Sequence, residues 1–277
     1  MKVVVYTGCA LLAFAFNSIL CRMALGGGEA DAASFTLVRL VSGAVMLAII
    51  AASIGKTKKA LKTGHWGGAF FLFLYAIAFS FAYTGLTAGT GALILFGSVQ
   101  VTIIAIALVK GTRPSAFEWI GLAVAVGGLV YLVLPGIASP PLYASLLMGA
   151  AGFAWGAYTV LGKGSKEPLL NTAGNFSLAV PMILIAAIPF WPHLQITGKG
   201  WLLAILSGAV TSGIGYALWY AVLKYHTPTR TAVMQLSVPV IVAVLGILML
   251  GETATPRLVI AGLLILGGIA MTVVRKQ

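Results

Sequence analysis

Four uncharged polar side chains, Asn17, Ser18, Gln100 and Gln235, stand inside long apolar runs. A buried amide or hydroxyl is costly in lipid unless partnered, so each must line water or bond a neighbouring helix, and both readings stay open. Around them the aromatics are spaced for contact. Tyr75, Phe79 and Tyr83 recur at i, i+4 and i+8, one stripe of a helix, and Trp155 with Tyr158 and Tyr216 with Trp219 and Tyr220 add two further groups. Hydrogen-bonding groups beside ring faces suit a small neutral or zwitterionic solute. The candidate substrate-binding set is therefore Asn17, Ser18, Tyr75, Phe79, Tyr83, Gln100, Trp155, Tyr158, Tyr216, Trp219 and Gln235. Tyr83 and Tyr220 lie near run ends, where aromatics also serve as interfacial anchors.

Charge chemistry is sparse. The acids Glu29, Asp31, Glu118, Glu167 and Glu252 all fall in connections or near run ends, and so do His65, His193 and His226. A proton-driven antiporter ordinarily keeps a titratable group within the membrane, so the pattern favours facilitated movement down a gradient. Arg39 is set roughly 10 Å inside its run by helical rise, where it could meet a substrate carboxylate or bond helix carbonyls. Glu252, followed by Thr253, is expected to cap a helix or pair with Arg257. Nothing here calls for a metal or cofactor. The stretch from Gly156 to Lys163 misses the phosphate-loop spacing, no HExxH or paired intramembrane aspartates occur, and Cys9 and Cys21 form no disulfide framework, so enzyme chemistry has no support. A channel would want a filter or charged ring, and none is visible.

These residues are held by elements that lipid dictates. Charged residues make up 8% of the 277, against about 25% in a soluble domain, while 60% are apolar. The apolar runs are near-continuous, as in membrane helices, whereas a barrel would alternate. Cutting at Gly, Pro and charge clusters predicts ten spans, at 3–24, 32–54, 66–84, 88–109, 115–134, 141–162, 168–190, 200–223, 228–250 and 256–274. The first run lacks a small-x-small cleavage site and is expected to remain as a span. Pro114 opens the fifth span and Pro168 the seventh; Pro239 falls in mid span nine and is a candidate hinge. The small-residue pairs Gly152 with Gly156 and Gly85 with Gly89 permit close approach or sliding, and Gly152 and Gly156 are the gating candidates.

Ten spans sort the cations. Lys2, Lys56, Lys58, Lys59, Lys62, Lys110, Arg113, Lys163, Lys166, Lys224, Arg230, Arg275 and Lys276 fall on one side; only Arg22, Arg39, Lys199 and Arg257 fall on the other. This asymmetry predicts both termini in the cytoplasm of a multi-pass membrane protein. It also accounts for the net charge of +12 without any nucleic-acid partner.

The second half echoes the first. Phe14-Ala15-Phe16 returns as Phe153-Ala154-Trp155, Ser98-Val99-Gln100-Val101 as Ser237-Val238-Pro239-Val240, and Tyr83 and Leu86 as Tyr220 and Leu223. Farther on, Pro114 returns as Pro256, Gly121 as Gly262 and Gly127-Gly128 as Gly267-Gly268. The series is collinear and predicts two five-helix repeats, 1–137 and 138–277. Five is odd, so the repeats enter from opposite sides. Inverted repeats are the architecture of many secondary transporters, in which exchanging the halves' conformations turns an outward cavity into an inward one.

At this point the residues carry a resemblance. With Arg39 early in span two in Phe35-Thr36-Leu37-Val38-Arg39, Leu250-Gly251-Glu252 ending span nine, and Gly262 and Gly267-Gly268 in span ten, the whole chain resembles the drug/metabolite transporter superfamily in its ten-span EamA-type branch. Within the branch it is most similar to bacterial amino-acid exporters called YddG. Val109-Lys110-Gly111-Thr112-Arg113-Pro114 departs from the pattern by lacking the Glu. The resemblance implies an all-α integral membrane protein that exports amino acids and related metabolites through a central cavity lined by spans one, three, four, six, eight and nine. Spans five and ten are then peripheral. A proton-coupled exporter of another metabolite or drug, or a nucleotide-sugar-like transporter, is the alternative; phosphates would need deep cations, and only Arg39 is on offer.

Overall fold

Runs of Leu, Ala, Val and Ile with polar starts become helices throughout. The computed structural model describes residues 2–111, 115–136, 139–223, 225–226 and 234–274. Among them there is no strand, only an isolated antiparallel bridge between Ala30 and Ile196. In chain order the helices are α1 (Lys2–Gly26), α2 (Ala32–Ser53), α3 (Thr57–Thr63), α4 (Trp66–Tyr83), α5 (Ala88–Val109), α6 (Ala116–Val133), α7 (Leu142–Gly162) and α8 (Pro168–Ala187). A 3₁₀ turn (Ile188–His193) leads to α9 (Gly198–Ile205), a π segment (Leu206–Ile214) and α10 (Gly215–Leu223), which run on without a break. Last come α11 (Ser237–Leu250) and α12 (Pro256–Val274).

Eight of these units are long and apolar enough to cross a membrane; Ser237–Leu250 and Pro256–Thr272 are shorter apolar helices. Between the second and third runs lies a short helix, α3, that hydrophobicity did not reveal because it is built around Lys58, Lys59 and Lys62. Pro239 stands in the first turn of α11, after a turn at Leu236, not inside a continuous helix. Lacking an N–H, it offers nothing to the Gln235 carbonyl, and a proline is tolerated at a helix start for that reason. The predicted span start at Pro114 and the cations Arg113, Lys224, Arg230, Arg275 and Lys276 lie outside the described residues.

Side chains fix several helix starts. Asp31 caps α2 by accepting from the N–H groups of Ala33 and Ser34, each at 2.9 Å. Thr87 caps α5, Thr197 caps α9, and Ser115 with Glu118 forms a reciprocal capping box on α6. His65 caps α4 through Nδ1, which accepts from Gly68 N–H at 2.8 Å.

The packing falls into a regular set of pairs. α4 packs on α7 and α8; the π segment and α10 pack on α1, and the π segment also packs on α2. α5 meets α7 and α11, α1 meets α11, and α2 meets α8. α6 and α12 pack mainly on each other and reach the rest through α5, which makes them peripheral. Glycines allow that contact: a Cβ on Gly121 would lie 2.6 Å from the Gly268 carbonyl oxygen, and one on Gly268 2.5 Å from that of Gly121.

Ion pairs tie the connections at both ends of the bundle. At the end bearing the N-terminus, Glu167 receives Lys56 at 2.9 Å and also Lys59. At the opposite end Glu29 pairs with Lys199 at 3.0 Å, and Arg22 with Glu252 at 3.7 Å. Neighbouring lysines and the Thr197 hydroxyl hold the carboxyls of Glu167 and Glu29 below their ordinary values: Lys59 and then Lys56 for Glu167, Thr197 and then Lys199 for Glu29. Burial works to raise Asp31, but hydrogen bonds from Ser34, Gln195 and Ala33 outweigh it and leave that carboxyl lowered.

Candidate polar and aromatic solute site

The site forms where α1, α2, α4, α7, the π segment and α10 converge. On α1, Asn17 is buried and works in both directions. Its Oδ1 accepts from Ser207 Oγ at 2.8 Å and Thr211 Oγ1 at 3.3 Å, while its Nδ2 donates to the Tyr75 hydroxyl at 3.3 Å. Asn17 thus bonds neighbouring helices. From α2, Arg39 Nη2 donates to the same Tyr75 oxygen at 3.2 Å. The arginine is 3% exposed, its guanidinium lies over the rings of Phe79 at 4.9 Å and Tyr75 at 5.3 Å, and no ion pair with it occurs among the described residues.

Local backbone shape brings these groups together. The π segment carries Ser207, Thr211 and Ser212 into the interior, and the Ser212 hydroxyl reaches back five residues to the Ser207 carbonyl at 3.0 Å. Such widened turns are rare and frequently accompany functional sites. Gly208 lies against the Arg39 carbonyl and Ser42 Oγ with no room for a Cβ. That glycine lets the π segment seat on α2 directly behind Arg39.

Aromatic rings fill the middle. Along α4, Tyr75 and Phe79 are 5.2 Å apart and Phe79 and Tyr83 4.7 Å, so the predicted stripe forms. Trp155 from α7 sits among Tyr75 at 4.8 Å, Tyr158 at 5.4 Å and Tyr216 at 5.6 Å, stacked on the last two. Tyr216 continues to Tyr220 at 6.1 Å and Phe14 at 5.6 Å. Behind it Thr172 of α8 lies between the hydroxyls of Tyr158, at 3.1 Å, and Tyr220, at 3.2 Å. Two open apolar grooves, of about 730 and about 520 Å³, lie elsewhere, along α5, α6 and α7 and along α2, α8 and α9. Neither borders the Asn17–Tyr75–Arg39 network.

The structure brings together Asn17, Tyr75, Phe79, Trp155, Tyr158 and Tyr216. Tyr83 is fully buried, donates to the Ala88 carbonyl at 3.3 Å and has Ser18 beside its phenol, so it is no interfacial anchor. Trp219 is buried against Phe14 at 5.6 Å. Gln100 on α5 and Gln235 ahead of α11 are half-buried and take no part in the described network. Gly152 and Gly156 sit at the α5–α7 contact: a Cβ on Gly152 would lie 2.5 Å from Ser98 Cβ, and one on Gly156 2.8 Å from Thr102 Cβ. Gly85 and Gly89 approach Ala144 and Ala243. Ser207, Thr211 and Thr172 were missed from sequence; hydroxyls in apolar helices usually bond their own preceding turn, and only the third dimension separates those that also bond across.

Glu252 caps a helix in an unforeseen place. Its carboxylate accepts from Ala88 N–H at 2.7 and 3.0 Å, at the start of α5, and its partner cation is Arg22, whose Nη1 also donates to the Tyr83 carbonyl at 3.0 Å. Arg257 instead donates to the carbonyls of Tyr131 and Leu134 at the end of α6.

Comparison with known proteins bears on what such a site handles. Residues 142–274 match the EamA-like transporter family. The chain is 47% identical to the uncharacterized protein PA1977 of Pseudomonas aeruginosa, over 98% of this chain and 94% of that protein. It is 32% identical to the threonine/homoserine exporter RhtA of Escherichia coli, over 63% of this chain and 60% of RhtA. A probable terminal-alkyne amino-acid exporter of Streptantibioticus cattleyicolor is 25% identical over 86% and 83%. A solved crystal structure, 19% identical, superposes with a TM-score of 0.69 over 98% of this chain and 97% of its own.

Proposed function

We propose, from the premise that the chain belongs to the EamA-like transporter family and is a transporter, not an enzyme, that it exports amino acids and related small metabolites. The observation that carries the reading is the buried Asn17–Tyr75–Arg39 network facing the rings of Trp155 and Tyr216 with no carboxylate beside it. Such a site favours a zwitterion: amide and hydroxyl groups bond it, rings cover its apolar part, and a cation meets its acid. Similarity to proteins named as amino-acid exporters supports the same class.

Transport is by alternating access between two inverted five-helix repeats, 1–137 and 138–277. The packing supports this. If the first five spans exchange with the last five, the α4–α7 pair becomes the pair of the π segment and α10 with α1, and α5–α7 becomes α11–α1. Likewise α4–α8 exchanges with the contact of the π segment on α2, while α2–α8, α5–α11 and α6–α12 map onto themselves. The ion pairs join connections that a ten-span path puts on one side, in keeping with cytoplasmic termini in a bacterial inner membrane. Gly152, Gly156 and the break before Pro239 are the hinges. No proton coupling is built in, because no Asp or Glu lies near the network to titrate.

The test is uptake of radiolabelled threonine, methionine and phenylalanine into liposomes holding the purified protein, with no ion gradient, beside empty liposomes and a Trp155→Ala variant. Saturable uptake lost in the variant is expected. Uptake that appears only under an imposed proton gradient refutes the uncoupled mechanism; no uptake under either condition refutes the amino-acid assignment.

A further inference from the structure

The guanidinium of Arg39 is buried and half used. Nη2 donates to Tyr75, whereas Nη1 is shielded from solvent and has no hydrogen-bond partner. The side chain is 3% exposed, among Tyr75, Phe79 and Tyr216, with Cys21 as the other near group. A buried cation is ordinarily matched by a carboxylate, and none pairs with it among the described residues. The rings below it offset part of the desolvation, but a ring face takes no hydrogen bond in the guanidinium plane.

Tyr75 carries the second unused donor. Its oxygen accepts from both Asn17 Nδ2 and Arg39 Nη2, which fills its lone pairs and leaves its own proton to give away. The orientation of Asn17 is fixed by its neighbour, since Oδ1 already accepts from the Ser207 hydroxyl at 2.8 Å, whereas Thr211 donates to the Ser207 carbonyl at 2.7 Å. An N–H and an O–H that share one anchoring bond form a fork with two donors, the geometry that accepts the two oxygens of a carboxylate.

We propose that Arg39 and Tyr75 clamp the carboxylate of the transported solute, with Asn17 holding Tyr75 in its donating orientation. This rests on the amino-acid reading above and names which end of the solute is recognised. The solute then supplies the counter-charge that Arg39 lacks, and a decarboxylated, amidated or esterified analogue leaves the cation buried and unmatched.

The experiment compares phenylalanine with phenylalaninamide and phenylalanine methyl ester as competitors of labelled-substrate uptake, in the parent protein and in Arg39→Gln, Arg39→Lys and Tyr75→Phe. The parent should bind the acid at least about tenfold more tightly than either derivative, since a charge-assisted pair is lost. Arg39→Gln should bring the three within about threefold of each other, and Tyr75→Phe, which keeps the ring under the guanidinium, should narrow the gap partway. A parent that does not discriminate, or a folded Arg39→Gln that still does, overturns the clamp. If Arg39→Gln does not fold, Tyr75→Phe and Arg39→Lys decide. Should the protein carry no amino acid at all, thermal stabilisation in detergent by 3-phenylpropionate against its amide tests the clamp alone. Stabilisation by the acid that Tyr75→Phe reduces upholds it, and equal shifts refute it.

Discussion

Replacing Glu252 by Gln should open the end of the bundle opposite the N-terminus. The carboxylate accepts from Ala88 N–H at 2.7 and 3.0 Å, caps the positive end of α5 and faces Arg22 at 3.7 Å, so it links α11 to α5 and α1. Gln keeps one acceptor but loses the charge. Exchanging a charged for a neutral hydrogen bond costs about 1 kcal/mol, the helix-terminus interaction about 0.5 kcal/mol more, and a partly exposed pair with Arg22 about 0.5 kcal/mol. A loss of about 2 kcal/mol raises an opening equilibrium constant about 30-fold. Cys21, fully buried and next to Arg22, reports on it. In a Cys9→Ser background in detergent, maleimide labelling of Cys21 should accelerate by that factor, while Glu167→Gln at the other end should leave it unchanged. A Glu252→Gln rate within about twofold of the parent, with the protein folded, would refute the argument that this carboxylate latches the bundle.

Gly156→Val should disrupt the α5–α7 contact, because even a Cβ there lies 2.8 Å from Thr102 Cβ; a loss of about 2 kcal/mol, seen as a lower Tm, is expected. Asn17→Leu leaves the Ser207 hydroxyl without its acceptor and removes one of the two donors to Tyr75, while Thr211 keeps the Ser207 carbonyl; a loss of about 2 kcal/mol, seen as a lower Tm, and loss of saturable uptake are expected. Glu29, Asp31 and Glu167 sit below their ordinary values of 4.5, 3.8 and 4.5 in the folded chain. Carboxyls lowered by folding stabilise above those values and lose that contribution as pH falls through the folded ones. Thermal stability should therefore be flat from neutral pH to about 5 and decline below about 4; a steady decline beginning near neutrality contradicts it.

Most of the helical plan was legible because lipid leaves few alternatives: an apolar run with a cap at its start and Gly or Pro past its end has to be a helix. The stripe of Tyr75, Phe79 and Tyr83 was legible for the same reason, since helical periodicity alone fixes which residues share a face. What escaped was long-range. Glu252 reaches the start of α5, 164 residues away in sequence, and nothing local in Gly251-Glu252-Thr253 names that partner. The short α3 escaped because its charged sequence lacks the apolar signature. The π segment escaped because Leu206–Ile214 reads as an ordinary apolar stretch; its extra width is legible only once Ser212 is seen to reach Ser207 and Gly208 to touch Arg39.

That π segment has a mechanical consequence. A π turn is an α-helix holding one residue more than its axial length requires, so it acts as a stored step of screw. Discharging the step would turn everything beyond it by about 100° at 3.6 residues per turn. α10 follows directly, and Tyr216 lies in its first turn, stacked on Trp155. Returning the segment to α pitch would therefore turn the Tyr216 ring relative to Trp155. The pitch of Leu206–Ile214 thus sets which face of α10 meets the Trp155 ring.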